Sequence, residues 1–325
     1  MVTVSIIINC LNGARYLSEA IQSVYVQTYS DWEIVFWDNA STDESGTIVK
    51  SYDERLRYFR ADRTVPLYTA RNQALKQVRG KYITFLDCDD VWMPDRLEKL
   101  IPLFDKKDSI GLVYSNFQMI DSNGNKINDN KFDHLSKNAF RQNLGKYQIG
   151  NGSMITSMKV LNTLDCWFDE SFKYIGDKDL YLRIAHDWDL KFSSEITMQC
   201  RRHEDNTSYK LIDDLWLDHE RMLKKFSGMY ENFDVEFAKE ISQARLQVGK
   251  ILAYLFLRFG RRKEAREIIR MHITKDYSAF FLYLASFFSH NVYWFLWDKV
   301  YKGIQKKIAK SNILALFPRK TKLVK

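Results

Sequence analysis

The first 120 residues alternate short, continuous apolar runs with segments in which apolar residues recur every three or four positions. The first run, residues 4–9, is rich in β-branched side chains, as in strands that are buried on both faces of a sheet. The next segment carries Leu17, Ala20, Ile21 and Val24 at helical spacing. Strands and helices in alternation predict an α/β domain with a mostly parallel sheet.

The same alternation continues beyond the first strand and helix. Further strands are predicted at residues 33–37, 56–60, 82–86 and 111–120. The helix after the second strand is predicted to open at a capping box formed by Ser41 and Glu44. The next helix is predicted to close at Gly80, and the one after it to begin at Pro94.

Three carboxylates, Asp87, Asp89 and Asp90, come directly after the fourth predicted strand. Alternation along an extended chain predicts that Asp87 and Asp89 share one face and that Cys88 lies on the other. Two aligned carboxylates suit a hard divalent cation such as Mn²⁺ or Mg²⁺, whose remaining ligands are phosphate oxygens and water. The alternative is structural, with Asp90 capping the helix that follows.

Asn9 and Asp38 end the first and second predicted strands. Ligands of open parallel sheets bind beyond the carboxyl ends of the strands, so both residues are candidates for donor binding. A carboxylate at position 38 can accept the N–H of a uracil-type base, or it can simply cap the following turn. The glycine-rich patterns that hold phosphates in dinucleotide and P-loop sites are absent after the first strand, which favours a metal for that task.

Several motifs follow one another in a fixed order over roughly the first 210 residues. They are Asn12-Gly13, Gln27-Thr28-Tyr29, Asp38-Asn39-Ala40-Ser41, Ala70-Arg71-Asn72, Asp87-Cys88-Asp89-Asp90 and Pro94-Asp95-Arg96-Leu97. Together they resemble the family 2 glycosyltransferases. The resemblance implies a GT-A fold, an α/β/α sandwich on a Rossmann-like sheet, over residues 1–212. It also implies transfer of a hexose or N-acetylhexosamine from a nucleotide diphosphate donor, a UDP-sugar in preference, with inversion at the anomeric carbon.

The resemblance carries roles over to the residues that match its motifs. Asp38 corresponds to the acid that contacts the nucleoside, and Asn9 is grouped with the donor-binding residues. Asp87 and Asp89 correspond to the D-x-D pair, with Asp89 as the direct metal ligand and Asp87 as the partner of the ribose or of metal-bound water. Arg71 matches an arginine that faces the base or the phosphates, although a structural ion pair with a carboxylate is an equal alternative.

Asp177 matches the acidic residue that serves as general base at a helix start in this family. The helix dipole favours an ionised carboxylate there, and a plain N-cap is the structural alternative. His203 lies in a segment similar to the one that closes over the diphosphate, so it is a third metal or phosphate contact, or else a surface histidine. Ala40 and Gly176 depart from the family pattern, which usually has glycine and glutamate at these positions.

Residues 213–325 are predicted to form an all-helical extension. A helix pair with Gly260 in its turn is predicted to pack on the first domain or to mediate a homodimer. Residues 277–297 lack charged side chains but carry polar residues at their middle, a pattern that is marginal for a helix that spans a membrane. The pattern favours an anchor that lies in the plane of the membrane, with Trp294 and Trp297 at the interface, and the alternative is a docked core helix.

Charge is concentrated at the carboxyl end of the chain. Residues 298–325 contain nine Lys or Arg and one acid, Asp298, so this tail carries the same net charge, +8, as the whole chain. A basic tail after an aromatic segment is typical of proteins that contact anionic membranes. The remaining residues are neutral in sum, which argues against a nucleic acid as partner.

Length and composition limit the domain organisation and the cellular compartment of the protein. With 325 residues and 46% hydrophobic content, the chain is expected to hold one large domain and an appendage. Four scattered cysteines and an amino terminus without a signal-peptide pattern predict a cytoplasmic protein, peripheral on the membrane. The expected acceptor is a glycan or a lipid-linked sugar of surface polysaccharide synthesis. The alternatives are a sugar nucleotidyltransferase and a non-catalytic nucleotide-sugar-binding scaffold.

Overall fold

A computed structural model describes residues 2–132, 138–206, 211–274 and 276–288 of the chain. The described residues pack into two compact units. The first unit contains the chain up to residue 143 together with residues 147–204, and the second contains residues 144–146 and the described residues from 205 onward. All residues that were predicted to bind donor, metal or acceptor lie in the first unit.

One sheet runs through the first unit. Its strands, among the described residues, are β1 (Val4–Cys10), β2 (Trp32–Asp38), β3 (Leu56–Arg60), β4 (Tyr82–Phe85), β5 (Val91–Trp92), β6 (Ile110–Ile120), β7 (Lys126–Asn130), β8 (Met154–Ser157) and β9 (Asp189–Arg201). Their order is β3-β2-β1-β4-β8-β6-β9-β5, and β7 also pairs with β6. Strands β3, β2, β1 and β4 are parallel, so their carboxyl ends lie at one edge. β8 is antiparallel to β4 and β6, and β6 is parallel to β9.

The helices that accompany this sheet follow the predicted apolar spacing. They are α1 (Ala14–Tyr25), α2 (Ser45–Val49), α3 (Leu67–Leu75), α4 (Arg96–Leu100), α5 (Ala139–Gly145), α6 (Met158–Leu161) and α7 (Gly176–Asp187). In α1 the predicted apolar face, Leu17, Ala20, Ile21 and Val24, is buried. Burying a side chain of leucine or isoleucine size contributes about 1.5–3 kcal/mol, so this face holds α1 in the unit.

Two predicted helix ends were wrong. Helix α2 begins after the Ser41 capping box, because Ser41 Oγ instead accepts a hydrogen bond from the Asn12 N–H over 3.0 Å. Helix α3 ends before Gly80, which lies against β1 at a point where an added Cβ would come within 2.5 Å of the Ser5 nitrogen. In both cases a contact with a distant part of the chain overrides the local signal.

The second unit is helical in its described part. Its helices are α8 (Asp214–Met229), α9 (Phe233–Glu236), α10 (Ala238–Arg258), α11 (Arg262–Ile269) and α12 (Tyr277–Ala285). The predicted helix pair corresponds to α10 and α11, and Gly260 joins them with a φ of +76° that favours glycine. Within the described ranges, no helix combines the length and the apolar character needed to cross a bilayer.

Candidate functional site

The acidic segment after β4 is a turn. Strand β4 ends at Phe85, and the Asp90 N–H donates to the Asp87 carbonyl over 3.0 Å. The predicted alternation of Asp87, Cys88 and Asp89 across an extended strand is therefore wrong, because strand pairing stops before these residues. The direction of each carboxylate is set instead by the partner that it contacts.

Arg71 on α3 is the partner of Asp87. Its Nη2 lies 3.2 Å from Asp87 Oδ1, and the arginine is only 5% exposed. The guanidinium carbon lies 5.6–5.7 Å from the ring centroids of Tyr68, Phe85 and Phe168. A desolvated cation–π contact is worth up to about 2 kcal/mol, so the rings and the carboxylate together fix the position of this cation.

Asp177 lies in the first turn of α7, close to the same arginine. Its Oδ1 accepts a hydrogen bond from the Lys178 N–H over 2.9 Å and lies 3.5 Å from the Tyr68 hydroxyl. Burial raises the pKa of Asp177, Arg71 opposes the shift, and the charge of Asp87 adds to it. A raised pKa makes the ionised carboxylate a stronger proton acceptor.

A second set of contacts joins α7 to the acidic turn. Tyr181, one helical turn after Asp177, donates to Asn151 Oδ1 over 2.7 Å. The Asn151 side-chain nitrogen in turn lies 3.5 Å from Asp87 Oδ1. The structure thus brings Asp87 and Asp177 into one cluster, which we call the Arg71 cluster: Arg71, Asp87, Asp177, Tyr68, Asn151 and Tyr181.

Asp89 contacts a different partner, His203. The His203 Nε2 lies 2.9 Å from Asp89 Oδ2, and the imidazole lies 5.2 Å from the Tyr16 ring, centroid to centroid. Arg201, at the end of β9, donates from Nε to the Asp89 carbonyl over 2.9 Å. The end of β9 and the residues just after it therefore support the acidic turn at Asp89, whereas Arg71 contacts it at Asp87.

Asp90 is buried and does not cap a helix. Its Oδ1 accepts a hydrogen bond from the Arg201 N–H over 2.9 Å, so the predicted capping role is wrong. Burial raises the pKa of Asp90 well above its usual range, and the charges of Asp89 and Asp87 add to the shift. The acidic turn thus gathers three carboxyl groups at one place, where a bound cation would be stabilising.

The donor set of the acidic turn fits a divalent cation that is shared with a substrate. Among the described residues, no group of three or more His, Cys, Asp or Glu side chains has the arrangement of a complete metal site. Mg²⁺ and similar ions commonly bind through one or two carboxylates plus substrate phosphates and water. Asp89 and Asp87, with His203 beside Asp89, offer such an incomplete, oxygen-rich set.

Asp38, at the end of β2, is fully buried. Its Oδ1 accepts from the Ser41 N–H over 2.7 Å, and its Oδ2 accepts from the Tyr58 hydroxyl over 2.7 Å and from the Arg60 guanidinium. Burial raises the pKa of Asp38, but the hydrogen bonds from Tyr58 and Ser41 outweigh it and the net pKa is lowered. Both oxygens of Asp38, the predicted nucleoside contact, are therefore already hydrogen-bonded within the protein, and Arg60 is the exposed member of this set, at 47%.

Two neighbouring positions carry strain or an unsatisfied group. Ala40 adopts a φ of +62°, a conformation in which a non-glycine side chain costs about 1 kcal/mol. Both polar atoms of the Asn9 amide are buried and, within the described part of the chain, neither has a hydrogen-bond partner. Each unsatisfied group costs about 1–3 kcal/mol, and a ligand at this edge of the sheet would relieve that cost.

Tyr68, Asn151 and Tyr181 complete the Arg71 cluster but were not predicted from the sequence. Tyr68 is three positions before Arg71, and Tyr181 is four positions after Asp177, so each pair shares one helix face. That spacing is a signal the sequence contains. Asn151 begins a 3-10 helix of three residues, Asn151–Ser153, which is too short for a periodic pattern to mark it.

Comparison with known proteins gives consistent matches. Residues 5–163 match the family described as Glycosyl transferase family 2. An uncharacterized glycosyltransferase of Rickettsia prowazekii (strain Madrid E) is 29% identical over 262 residues, which are 77% of this chain and 82% of the relative. The Escherichia coli UDP-Glc:alpha-D-GlcNAc-diphosphoundecaprenol beta-1,3-glucosyltransferase WfgD is 32% identical over 183 residues, 56% of this chain and 68% of that enzyme.

Solved structures share the fold. The mannosyltransferase PcManGT from Pyrobaculum calidifontis, in complex with GDP-Man and Mn²⁺, matches with a TM-score of 0.60 at 14% sequence identity. The match covers 96% of this chain and 86% of that protein. It confirms the predicted α/β sandwich with its helical extension.

Proposed function

The chain belongs to the family 2 glycosyltransferases, and we propose that it transfers a sugar with inversion from a nucleotide diphosphate donor to a hydroxyl of a glycan or lipid-linked acceptor. A UDP-sugar is the preferred donor, and the transferred unit is a hexose or N-acetylhexosamine. The observation that supports this proposal is the Arg71 cluster, in which the Arg71 guanidinium pairs with Asp87 and opposes the burial-driven rise in the pKa of Asp177. The predicted domain division after residue 212 stays a prediction.

The donor is proposed to bind at the carboxyl ends of β1, β2 and β4. Asp38 would contact the nucleoside, and the unsatisfied amide of Asn9 would contact the donor from the neighbouring strand. Arg71 holds Asp87 at the diphosphate end of the site. Asp87 and Asp89, with His203, would hold Mn²⁺ or Mg²⁺, which when bound supplies Lewis-acid neutralisation of the diphosphate.

Asp177 is proposed to remove the proton of the acceptor hydroxyl. As the proton moves to the carboxylate, the acceptor oxygen bonds to the anomeric carbon, and the bond from that carbon to the diphosphate breaks on the opposite face. This single displacement inverts the anomeric configuration. The hydrogen bond from the Lys178 N–H orients the carboxylate for this step, and the Tyr68 hydroxyl lies 3.5 Å from it.

A donor screen tests the proposal. The protein is incubated with UDP-, GDP- and dTDP-sugars, with Mn²⁺, Mg²⁺ or a chelator, and release of nucleoside diphosphate is measured with and without glycan acceptors. We expect metal-dependent release from a UDP-sugar and an inverted anomer in the product, which NMR can identify. Release from no donor, or a product with retained configuration, would contradict the proposal.

We also propose that the second unit binds an anionic membrane surface on the cytoplasmic side. Large apolar side chains on and just after α12 are exposed, namely Tyr277, Phe280, Phe281, Leu284, Phe287 and Phe288. The basic tail at residues 298–325 would add electrostatic attraction to acidic lipids. The rest of the predicted anchor, with Trp294 and Trp297, lies outside the described residues, and the predicted homodimer stays a prediction.

Vesicle flotation tests the membrane proposal. We expect the protein to float with vesicles that contain phosphatidylglycerol, and to do so less at high salt. Serine at Phe280 and Phe281 should weaken flotation, whereas serine at the exposed Val235 of α9 serves as a matched control. Equal recovery with neutral and anionic vesicles, or none with either, would contradict the proposal.

A further inference from the structure

A buried lysine follows the proposed base in the first turn of α7. Lys178 is only 8% exposed, and among the described residues its ammonium has no hydrogen bond or ion pair. Its Nζ lies 5.5 Å from the centroid of the Tyr147 ring. Burial lowers the pKa of Lys178 to about 8, while the charge of Asp177 opposes the shift. Asp177 offsets only part of the cost of burying this cation, so a further anion bound beside it would be stabilising.

Tyr147 provides a second unsatisfied donor at the same place. Its hydroxyl is buried and has no hydrogen-bond partner within the described residues. Burial raises the pKa of this phenol well above its usual range, and the charges of Asp177 and Tyr181 add to the shift. The phenol therefore lies within electrostatic reach of the proposed base. An O–H donor and an ammonium, both without an acceptor, adjoin Asp177.

We propose that Lys178 and Tyr147 form an anion subsite that binds a phosphate group of the acceptor. The inference rests on the proposed function, because it takes Asp177 as the base that faces the acceptor hydroxyl. A neutral sugar hydroxyl could accept from Tyr147 but would give the lysine no anion beyond Asp177. A phosphate oxygen accepts from both donors and neutralises the cation. The substrate class is therefore an acceptor sugar that carries a phosphate or diphosphate.

The spacing of the two residues limits where the phosphate is attached. Asp177 and Lys178 are consecutive, so their Cα atoms are about 3.8 Å apart. Both side chains start from the first turn of α7, so the phosphate and the reacting hydroxyl belong to one acceptor molecule. The donor diphosphate is assigned to the acidic turn, where Asp87 and Asp89 lie, so the two phosphate sites are separate.

Matched acceptors test the subsite. Decyl N-acetylglucosaminyl diphosphate and decyl N-acetylglucosaminide carry the same sugar with and without phosphate, and kcat and KM are measured for each. We expect the wild-type protein to favour the diphosphate in kcat/KM. Lys178→Met should reduce that preference roughly 10- to 100-fold, mainly through KM, because it removes a charge-assisted contact. Lys178→Arg should keep part of the preference for the diphosphate acceptor, and Tyr147→Phe should reduce that preference less than Lys178→Met does.

Controls separate this inference from the proposed function. Lys159→Met removes an exposed lysine on α6, whose Nζ lies 5.6 Å from the Trp188 ring, and should leave the preference unchanged. Calorimetry with UDP and a melting curve verify donor binding and folding of each variant. Equal use of both acceptors by the wild type, or an unchanged preference in Lys178→Met, overturns the subsite while sugar transfer itself stands. A loss of UDP affinity in Lys178→Met would overturn the anion subsite and make Lys178 a donor contact. If the wild-type protein transfers sugar to neither acceptor, both the subsite and the proposed function are overturned.

Discussion

Replacement of Asp177 by asparagine should separate proton removal from every other role of this residue. Asparagine has nearly the same shape, and its Oδ1 can still accept from the Lys178 N–H, 2.9 Å away, and from the Tyr68 hydroxyl, 3.5 Å away. The variant loses the carboxylate charge and with it the ability to take a proton. General base catalysis contributes about 10²- to 10⁴-fold in rate, which corresponds to roughly 3–5 kcal/mol of transition-state stabilisation.

The same substitution should leave folding stability intact. Burial raises the pKa of the Asp177 carboxyl, so the folded state disfavours its ionised form at neutral pH. An uncharged amide removes that penalty, and the free energy of unfolding at pH 7 should stay constant or rise. We therefore expect Asp177→Asn to lose sugar transfer by a factor of 10² or more, with unchanged melting temperature and unchanged UDP affinity.

Asp179→Asn is the matched control in the same helical turn. Asp179 is fully buried, and Arg183 lies 2.9 Å from its Oδ2 and also donates to the carbonyls of Cys166 and Trp167. Breaking a buried ion pair costs about 3–5 kcal/mol, so the melting temperature should fall by roughly 10 °C. The assays are product formation by mass spectrometry, calorimetry with UDP, and thermal melting. Our reasoning is refuted if Asp177→Asn keeps more than about a tenth of the transfer rate or melts early like Asp179→Asn.

The remaining predictions concern the metal, the pH profile and backbone strain. Asp89→Ala should abolish metal-dependent UDP-sugar binding, as measured by calorimetry with Mn²⁺. An equal loss of UDP-sugar affinity in Asp177→Asn would contradict separate roles for the two residues. Burial raises the pKa of Asp177, and the base acts only when it is ionised, so kcat should fall as the pH drops through a pKa above that of an ordinary aspartate. An acidic decrease in kcat at the pKa of an ordinary aspartate, or one that persists in Asp177→Asn, would contradict the assignment of Asp177 as base. Ala40→Gly should raise the melting temperature by a few degrees, because glycine relieves about 1 kcal/mol at a φ of +62°, and a lower melting temperature would show that the strain is absent.

Much of the first unit could be predicted from local patterns. Strand β3 has the predicted bounds, and the buried face of α1 consists of the predicted residues. These features are encoded in spacing along the chain, because a strand or helix must turn its apolar side chains to the core. Gly260 could likewise be predicted in its turn, since few other residues adopt its positive φ.

The candidate site could be predicted only as a set of residues. The motifs identified Asp87 and Asp177, but their place in one cluster depends on Arg71 and Asn151, which come from other segments. The predicted strand alternation failed at the acidic turn, because pairing with β1 ends before it.

Local spacing and composition fix which elements form and which residue types are available for chemistry. Which polar groups are satisfied and which are left open depends on how distant segments pack together. Asp38 is bound on both oxygens by neighbours from β3 and its own turn, whereas the Asn9 amide, the Lys178 ammonium and the Tyr147 hydroxyl have no such partners among the described residues. The physical reason is that burial and hydrogen bonding depend on segments that meet across long sequence separations, and no local pattern records which ones meet.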